Sequence, residues 1–197
     1  LDAIPATAGA VNSTYLASSL TLTTPTLNTP TLSSPVTSGT PTGVGVLTSG
    51  TAQASTSGTF KDFTGIPSWV KRITVMFQGV STSGTSNVIV QIGVSGAPET
   101  SGYDSAATLL VNTGTAVTLR STTGFTIDPT NATYITAATV RQGALMLTNL
   151  SGNTWVGNGS YGSSNATAVV NTFGGGKTLA GVLNMVRVTT ANGTDTF

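Results

Sequence analysis

The sequence predicts an all-β fold, in which an antiparallel, jelly-roll-like β-sandwich head follows an extended N-terminal stem. Charged residues make up only 7% of the 197 residues, whereas 24 residues are glycine and Thr, Ser and Asn are abundant. Apolar and polar residues alternate in short segments, and no segment keeps a helical period over three turns. Turn signals rich in Gly, Asn and Ser separate these segments at short intervals.

Residues 1–58 form the predicted stem. A five-residue repeat that ends in proline carries one leucine per unit, at Leu22, Leu27 and Leu32. Proline disfavours helix, and a single extended chain has no interior in which to bury the leucines. The repeat therefore predicts packing against copies of the same chain in a trimer, or against another protein. A disordered Thr/Pro linker is the alternative, and a pentapeptide solenoid is disfavoured because the repeats complete less than one coil.

Residues 48–59 are predicted to form a hinge into the head, which spans residues 59–197. In residues 70–80, Ile73, Val75 and Phe77 share one face, which predicts a strand with one buried face. Residues 88–92 are apolar at almost every position, which predicts a central strand or one at a subunit interface. Further strands are predicted in the ranges 106–111, 116–120, 144–150, 154–161, 167–172 and 179–190.

Glycine-containing segments predict turns at residues 112–114, 151–153 and 174–176. A further turn signal, Asn192-Gly193, stands just before the last residues. We expect the C-terminal strand to be partly missing after this turn. The first residue is Leu1 rather than Met, which indicates a piece of a longer chain.

Composition argues against several classes of function. The net charge is +1, and only Lys71 and Arg72 are adjacent cations, so a nucleic acid is not an expected partner. The sequence has no cysteine, which excludes a disulfide-stapled scaffold. No apolar run approaches the roughly 20 residues that a membrane-spanning helix needs.

The absence of His and Cys excludes several common catalytic and metal-binding arrangements. Without His or Cys the chain cannot form a Ser-His-Asp or Cys-His arrangement or a zinc site of those ligands. Among the six acidic residues only Glu99 and Asp104 are near neighbours, and a solvated loop is favoured over a catalytic pair. The sequence contains neither a calcium-binding loop nor a P-loop. We therefore expect no enzymatic activity, no cofactor and no metal.

Several blocks of the head resemble one protein family. The run Phe63-Thr64-Gly65-Ile66-Pro67-Ser68-Trp69-Val70-Lys71-Arg72-Ile73-Thr74-Val75-Met76-Phe77 resembles a segment common in tail-fibre proteins of tailed bacteriophages and prophages. The resemblance continues over residues 79–103 and returns at residues 185–197. It implies a homotrimeric fibre tip in the virion, joined to other tail or virion proteins and directed at a bacterial surface glycan or outer-membrane protein. It supplies no catalytic motif.

Four aromatic residues near loops are the candidates for receptor binding, because sugars pack their C–H faces against aromatic rings. They are Tyr103, Tyr134, Trp155 and Tyr161. The alternative for each is packing at the edge of the core with its polar atom bonded. Trp69 is expected to pack at a strand entry.

The resulting expectation is a distal tail-fibre protein that attaches the virion to a host receptor. A structural appendage or capsid-decorating fibre that reads no receptor is the main alternative. A tailspike that degrades polysaccharide is disfavoured by the scarcity of acidic residues.

Overall fold

The computed structural model describes residues 47–111, 114, 116–129, 133–137, 139–163 and 169–197. The described residues belong to one compact unit, residues 46–197. Those residues contain strands but no helix, and thus no helical segment suited to crossing a membrane. The strands are β1 (Phe60–Thr64), β2 (Arg72–Val80), β3 (Val88–Val94), β4 (Ala97–Pro98), β5 (Tyr103–Val111), β6 (Ala116–Ser121), β7 (Phe125–Thr126), β8 (Arg141–Ser151), β9 (Thr154–Ser163), β10 (Val169–Thr178) and β11 (Met185–Thr190).

The strands form two sheets, and every pairing among the described strands is antiparallel. One sheet has the order β1-β11-β3-β4, with β7 also paired to β3. The other has six strands in the order β2-β8-β9-β10-β5-β6. The all-β prediction is therefore confirmed.

Both sheets contribute to a common apolar core. Val75, Leu145 and Phe173 come from the six-stranded sheet, while Val90 and Val186 come from the other. Burying side chains of this size stabilises a fold by about 1.5–3 kcal/mol each. Two antiparallel sheets with a shared core are compatible with the predicted β-sandwich. A second, smaller cluster consists of Leu109, Val111, Ile135 and Val169, with Tyr134 packed against it.

Several local predictions are confirmed. In β2, Val75 and Phe77 are buried and Ile73 is partly buried, while the alternate side chains are exposed. β3 is buried on both faces over residues 88–93 and lies between β11 on one side and β4 and β7 on the other. The turn predicted at residues 151–153 is present: Ser151 ends β8, and Gly152 and Asn153 form the turn into β9, where Gly152 has a φ of 50°.

The predicted turn at residues 174–176 is wrong, because these glycines lie inside β10. A Cβ on Gly175 would stand 2.5 Å from the carbonyl oxygen of Asp104 and 2.7 Å from the Cα of Ser105 on neighbouring β5. The glycine is thus required by a close approach of two backbones, not by a turn.

The single strand predicted over residues 179–190 is also wrong in its first half. Only β11 is extended, and residues 179–184 form a loop. Asn184 holds the end of this loop, since its backbone N donates to Gly93 O at 3.1 Å and its Oδ1 accepts from Gly96 N at 3.1 Å. These bonds end the irregular segment just before the sheet begins.

Some predictions fall outside the described residues. The pentapeptide repeat lies there, as do residues 112–113 of one predicted turn and residues 167–168 at the start of one predicted strand. Residues 47–59, which cover the predicted hinge, contain no strand or helix.

Candidate functional site

A small pocket opens at one end of the two sheets. It lies where residues 65–71, the β8–β9 turn and residues 179–184 meet. Its volume is about 60 Å³, which is room for a few waters or one edge of a sugar ring rather than for a whole buried ligand. The lining residues are Ser68, Val70, Lys71, Asn149, Gly152, Asn153, Trp155, Val182 and Leu183.

Backbone hydrogen bonds tie the three segments of the pocket together. Asn149 N donates to Lys71 O at 2.9 Å, which joins the segment before β2 to β8. Leu179 N donates to Asn153 O at 3.1 Å, which joins the β8–β9 turn to the segment after β10. A pocket held in this way loses little conformational freedom when it binds a ligand.

The pocket wall carries hydrogen-bonding side chains. Lys71 Nζ donates to Asn149 Oδ1 at 3.0 Å, and Asn149 Nδ2 donates to Gly152 O at 2.9 Å. Ser68 and Asn153 add a hydroxyl and a second amide. An ammonium, amides and a hydroxyl around a shallow opening suit a ligand that is rich in hydroxyl groups or carries a negative charge.

Two exposed apolar side chains belong to the segments that form the pocket. Trp69 is 42% exposed and follows Ser68, a lining residue, in the sequence. Val182 lines the pocket and is also exposed. We expected Trp69 to pack at a strand entry; it lies in a turn closed by a 3.1 Å bond from Val70 N to Pro67 O and keeps 42% of its surface exposed. Sequence analysis missed this site, whose only signal was polar and aromatic residues between strands.

Most of the aromatic residues predicted to contact a receptor lie in the core instead. Tyr103, Trp155 and Tyr161 are buried, with no more than 4% of each residue exposed. The hydroxyl of Tyr103 accepts from Ile92 N at 2.8 Å and donates to Glu99 O at 2.9 Å, and burial raises its pKa. Its polar atom is thus satisfied internally, which favours the core-packing alternative.

The other three predicted aromatic residues, Tyr161, Trp155 and Tyr134, lie in three different environments. Tyr161 donates its hydroxyl to Asp128, and burial together with that carboxylate raises the tyrosine pKa. Trp155 contributes to the pocket floor although it is almost fully buried. Tyr134 is half-buried against the smaller apolar cluster and keeps part of its surface exposed. The structure does not bring these four residues together into one surface.

The two neighbouring acidic residues belong to separate ion pairs. Glu99 lies 2.5 Å from Lys177 Nζ and accepts a 2.7 Å bond from Ala180 N. Asp104 pairs with Arg120 at 3.0 Å on the solvent side. Each carboxylate thus has its own cation rather than facing the other across a cleft. Over the part of the chain that the structure describes, no cluster of His, Cys, Asp or Glu is placed to hold a metal ion.

Comparison with protein-family models, with curated proteins and with solved structures finds no match for this chain. The chemistry of the pocket is therefore inferred from its own groups. A shallow opening with polar walls is suited to binding a polar ligand.

Proposed function

We propose that this chain is the distal part of a bacteriophage tail fibre and attaches the virion to a host-cell surface. In this proposal, residues 1–58 form an extended stem and residues 59–197 form a jelly-roll-like head, and three copies assemble into the fibre tip. The bound class is a bacterial surface glycan, and the pocket between β1–β2, β8–β9 and β10–β11 is where it binds. No cofactor takes part.

The position of the pocket carries this proposal. β1 pairs with β11 so that Phe60 lies opposite Thr189 and Thr64 lies opposite Met185. The chain thus enters the sheet at Phe60 and travels along β1 before it reaches Ser68 at the pocket. In this proposal, the pocket end of the head, which lies at the opposite end of β1 from Phe60, is the end that meets a cell.

The chemistry of the pocket supports a glycan as the ligand. An indole ring packs against the C–H face of a sugar, while amide and hydroxyl groups bond the ring hydroxyls. In this proposal the ring is that of Trp69, an exposed residue whose neighbours Ser68 and Val70 both line the pocket, and Asn149, Asn153 and Ser68 supply the polar groups. The affinity of one shallow site is modest, but three sites on one fibre would raise the overall affinity through effective concentration.

A structural appendage that reads no receptor is the second candidate. The burial of Tyr103, Trp155 and Tyr161 favours it, since these aromatics stabilise the core and leave few rings for a ligand. The two candidates differ in what Trp69 does, because a structural appendage has no use for an exposed indole beside a polar pocket.

The test is binding of the labelled full chain to a panel of bacterial strains and to an array of purified bacterial surface polysaccharides. Trp69→Ala is the informative variant, and Phe60→Ala is its control, since Phe60 is an aromatic residue of similar exposure (47%) at the opposite end of β1. Truncating a central tryptophan costs about 2 kcal/mol or more, so we expect binding to weaken at least about tenfold for Trp69→Ala and little for Phe60→Ala.

The results of these binding measurements distinguish host attachment from a structural appendage. A chain that binds neither cells nor polysaccharides contradicts attachment and leaves the structural appendage. Binding to cells that is lost after protease treatment of those cells would identify an outer-membrane protein as the ligand instead of a glycan. Equal binding by the wild type and Trp69→Ala would remove the pocket from the proposal.

A further inference from the structure

The six-stranded sheet has a broad outer face that turns away from the core. The strand register places one uncharged side chain from each strand in a row across this face, namely Met76, Ala144, Ser160, Thr172, Thr108 and Thr118. Along all six strands, the side chains on the same side of the sheet as this row are exposed or partly exposed, whereas the alternate side chains face the core. We call this surface the outer face.

Large apolar side chains are exposed on the outer face. Met76 is 81% exposed, Val170 is 51% exposed and Leu110 is 49% exposed. Val170 and Leu110 are directly opposite each other on β10 and β5, so they form one continuous apolar contact surface. Met76 lies three strands away from this pair, on edge strand β2. Neighbouring exposed apolar groups such as Val170 and Leu110 are typical of an interaction site.

Charge is confined to the margins of this face. On the described strands of the sheet, the outward-facing charged residues are Arg72 on edge strand β2 and the pair Asp104 and Arg120 on β5 and β6. The other two cations of these strands, Arg141 and Lys177, point inward and are buried. Charges at the centre would have to be desolvated on contact, and their absence removes that cost.

The face is large enough for a stable association. Six strands about 4.8 Å apart, five of them about 30 Å or more long and β6 about 20 Å long, give a flat area of roughly 700 Å², close to the ~800 Å² that each partner buries in a standard interface. Charged residues are generally depleted at the centre of a protein interface, as they are at the centre of this face. An uncharged face meets copies of itself without like-charge repulsion.

We infer that the outer face is the surface through which copies of this chain assemble. The inference rests on the homotrimer of the proposed function and adds where the subunits meet. The pocket lies at the end of the sheets rather than on this face, so assembly through the face leaves the binding end open.

The test is the mass of the full chain in solution, measured by light scattering over a range of concentrations. Thr172→Glu places a charge at the centre of the outer face. Thr64→Glu is the matched control, since Thr64 is an exposed strand threonine of the other sheet. We expect about 59 kDa, three times the chain mass of 19.7 kDa, for the wild type and the control, and a single-chain mass for Thr172→Glu. Circular dichroism shows whether each variant is folded.

A second variant covers the case in which Thr172→Glu fails to fold. Val170→Thr keeps the side-chain shape, and the loss of its buried methyl should raise the dissociation constant of the assembly by roughly tenfold. A trimer that persists in both variants overturns the outer face as the interface but leaves the fibre proposal standing. A wild-type chain that is monomeric overturns the inference, and the cell-binding measurement then decides attachment separately. If such a monomer binds polysaccharide and Thr172→Glu weakens that binding, the ligand of the outer face is a glycan and not a second copy of the chain.

Discussion

Arg141 and Asp128 form an ion pair in which neither side chain is exposed to solvent. Arg141 Nη2 lies 2.7 Å from Asp128 Oδ2, and Nε lies 2.9 and 3.1 Å from the two carboxylate oxygens. Val88 N and the hydroxyl of Tyr161 also donate to this carboxylate. Burial lowers the pKa of Arg141, but the adjacent negative charge and hydrogen bonds of Asp128 outweigh it and raise the pKa. The pair therefore stays charged in the interior of a protein in which only 7% of the residues are charged.

Removing one member of this pair should be strongly destabilising. Asp128→Asn leaves the guanidinium buried without its counter-charge, so we expect the free energy of unfolding to fall by about 3–5 kcal/mol. Asp104→Asn is the control, because it breaks an exposed pair with Arg120 and should cost no more than about 1 kcal/mol. Urea unfolding of both variants measures this difference. Similar losses for the two would contradict the structural role given to the buried pair.

Replacing Asn171 should raise the free energy of unfolding rather than lower it. Asn171 is fully buried in β10, directly opposite Leu109 and Tyr161, and neither its Oδ1 nor its Nδ2 has a hydrogen-bond partner among the described residues. A buried amide without partners is costly, so Asn171→Leu should raise the free energy of unfolding by about 1–3 kcal/mol. Denaturant unfolding tests this. A loss of stability would contradict the cost assigned to the buried amide.

The glycines of β10 and β9 give a paired steric test. Gly175→Ala brings a methyl group against the β5 backbone at Asp104, and we expect a loss of about 1–3 kcal/mol from the strain. Gly162→Ala adds the same methyl where nothing lies within 4 Å, so stability should stay within about 0.5 kcal/mol of the wild type. Thermal unfolding of the two variants is the measurement. Equal effects would show that the close approach of β5 and β10 is absent.

Glu99 should make stability depend on acid pH. Burial alone raises its pKa, but hydrogen bonds from Lys177 and Ala180 and the charge of Lys177 outweigh burial and lower the pKa below its ordinary 4.5. The ionised carboxylate therefore stabilises the fold fully above about pH 4.5, and this contribution is lost as the pH falls through the lowered pKa. Glu99→Gln should be less stable than the wild type at pH 7, with the gap closing at pH 3. A gap that is the same at both pH values would contradict this.

Strand patterns that depend on local alternation were predictable from the sequence. β2 followed its period of two, and β3 was recognisable as a buried strand from its continuous apolar run. The glycines of β10 misled the prediction because Gly serves both turns and close backbone approaches. Only the neighbouring strand β5 distinguishes the two cases, since it supplies the Asp104 carbonyl that a Cβ would meet.

The candidate site was beyond the sequence because it is built from distant segments. Lys71, Asn149 and Val182 meet only after the sheets have formed. The burial of Trp155 and Tyr161 had a signal in the alternation of β9, where Gly157 and Gly159 share their face. Added Cβ atoms at these glycines would stand within 3.0 Å of aromatic rings of the core. Glycines between two aromatics of one parity thus indicate ring packing rather than an exposed binding surface.

Fluorescence quenching tests the proposed contact between the pocket end of the head and the host. The chain has two tryptophans, of which Trp69 is 42% exposed and Trp155 is 4% exposed, so acrylamide should quench mainly Trp69. A bacterial polysaccharide that binds the chain is predicted to shield Trp69 and lower its quenching towards that of a buried indole. Quenching that is unchanged while the polysaccharide is bound would contradict the account.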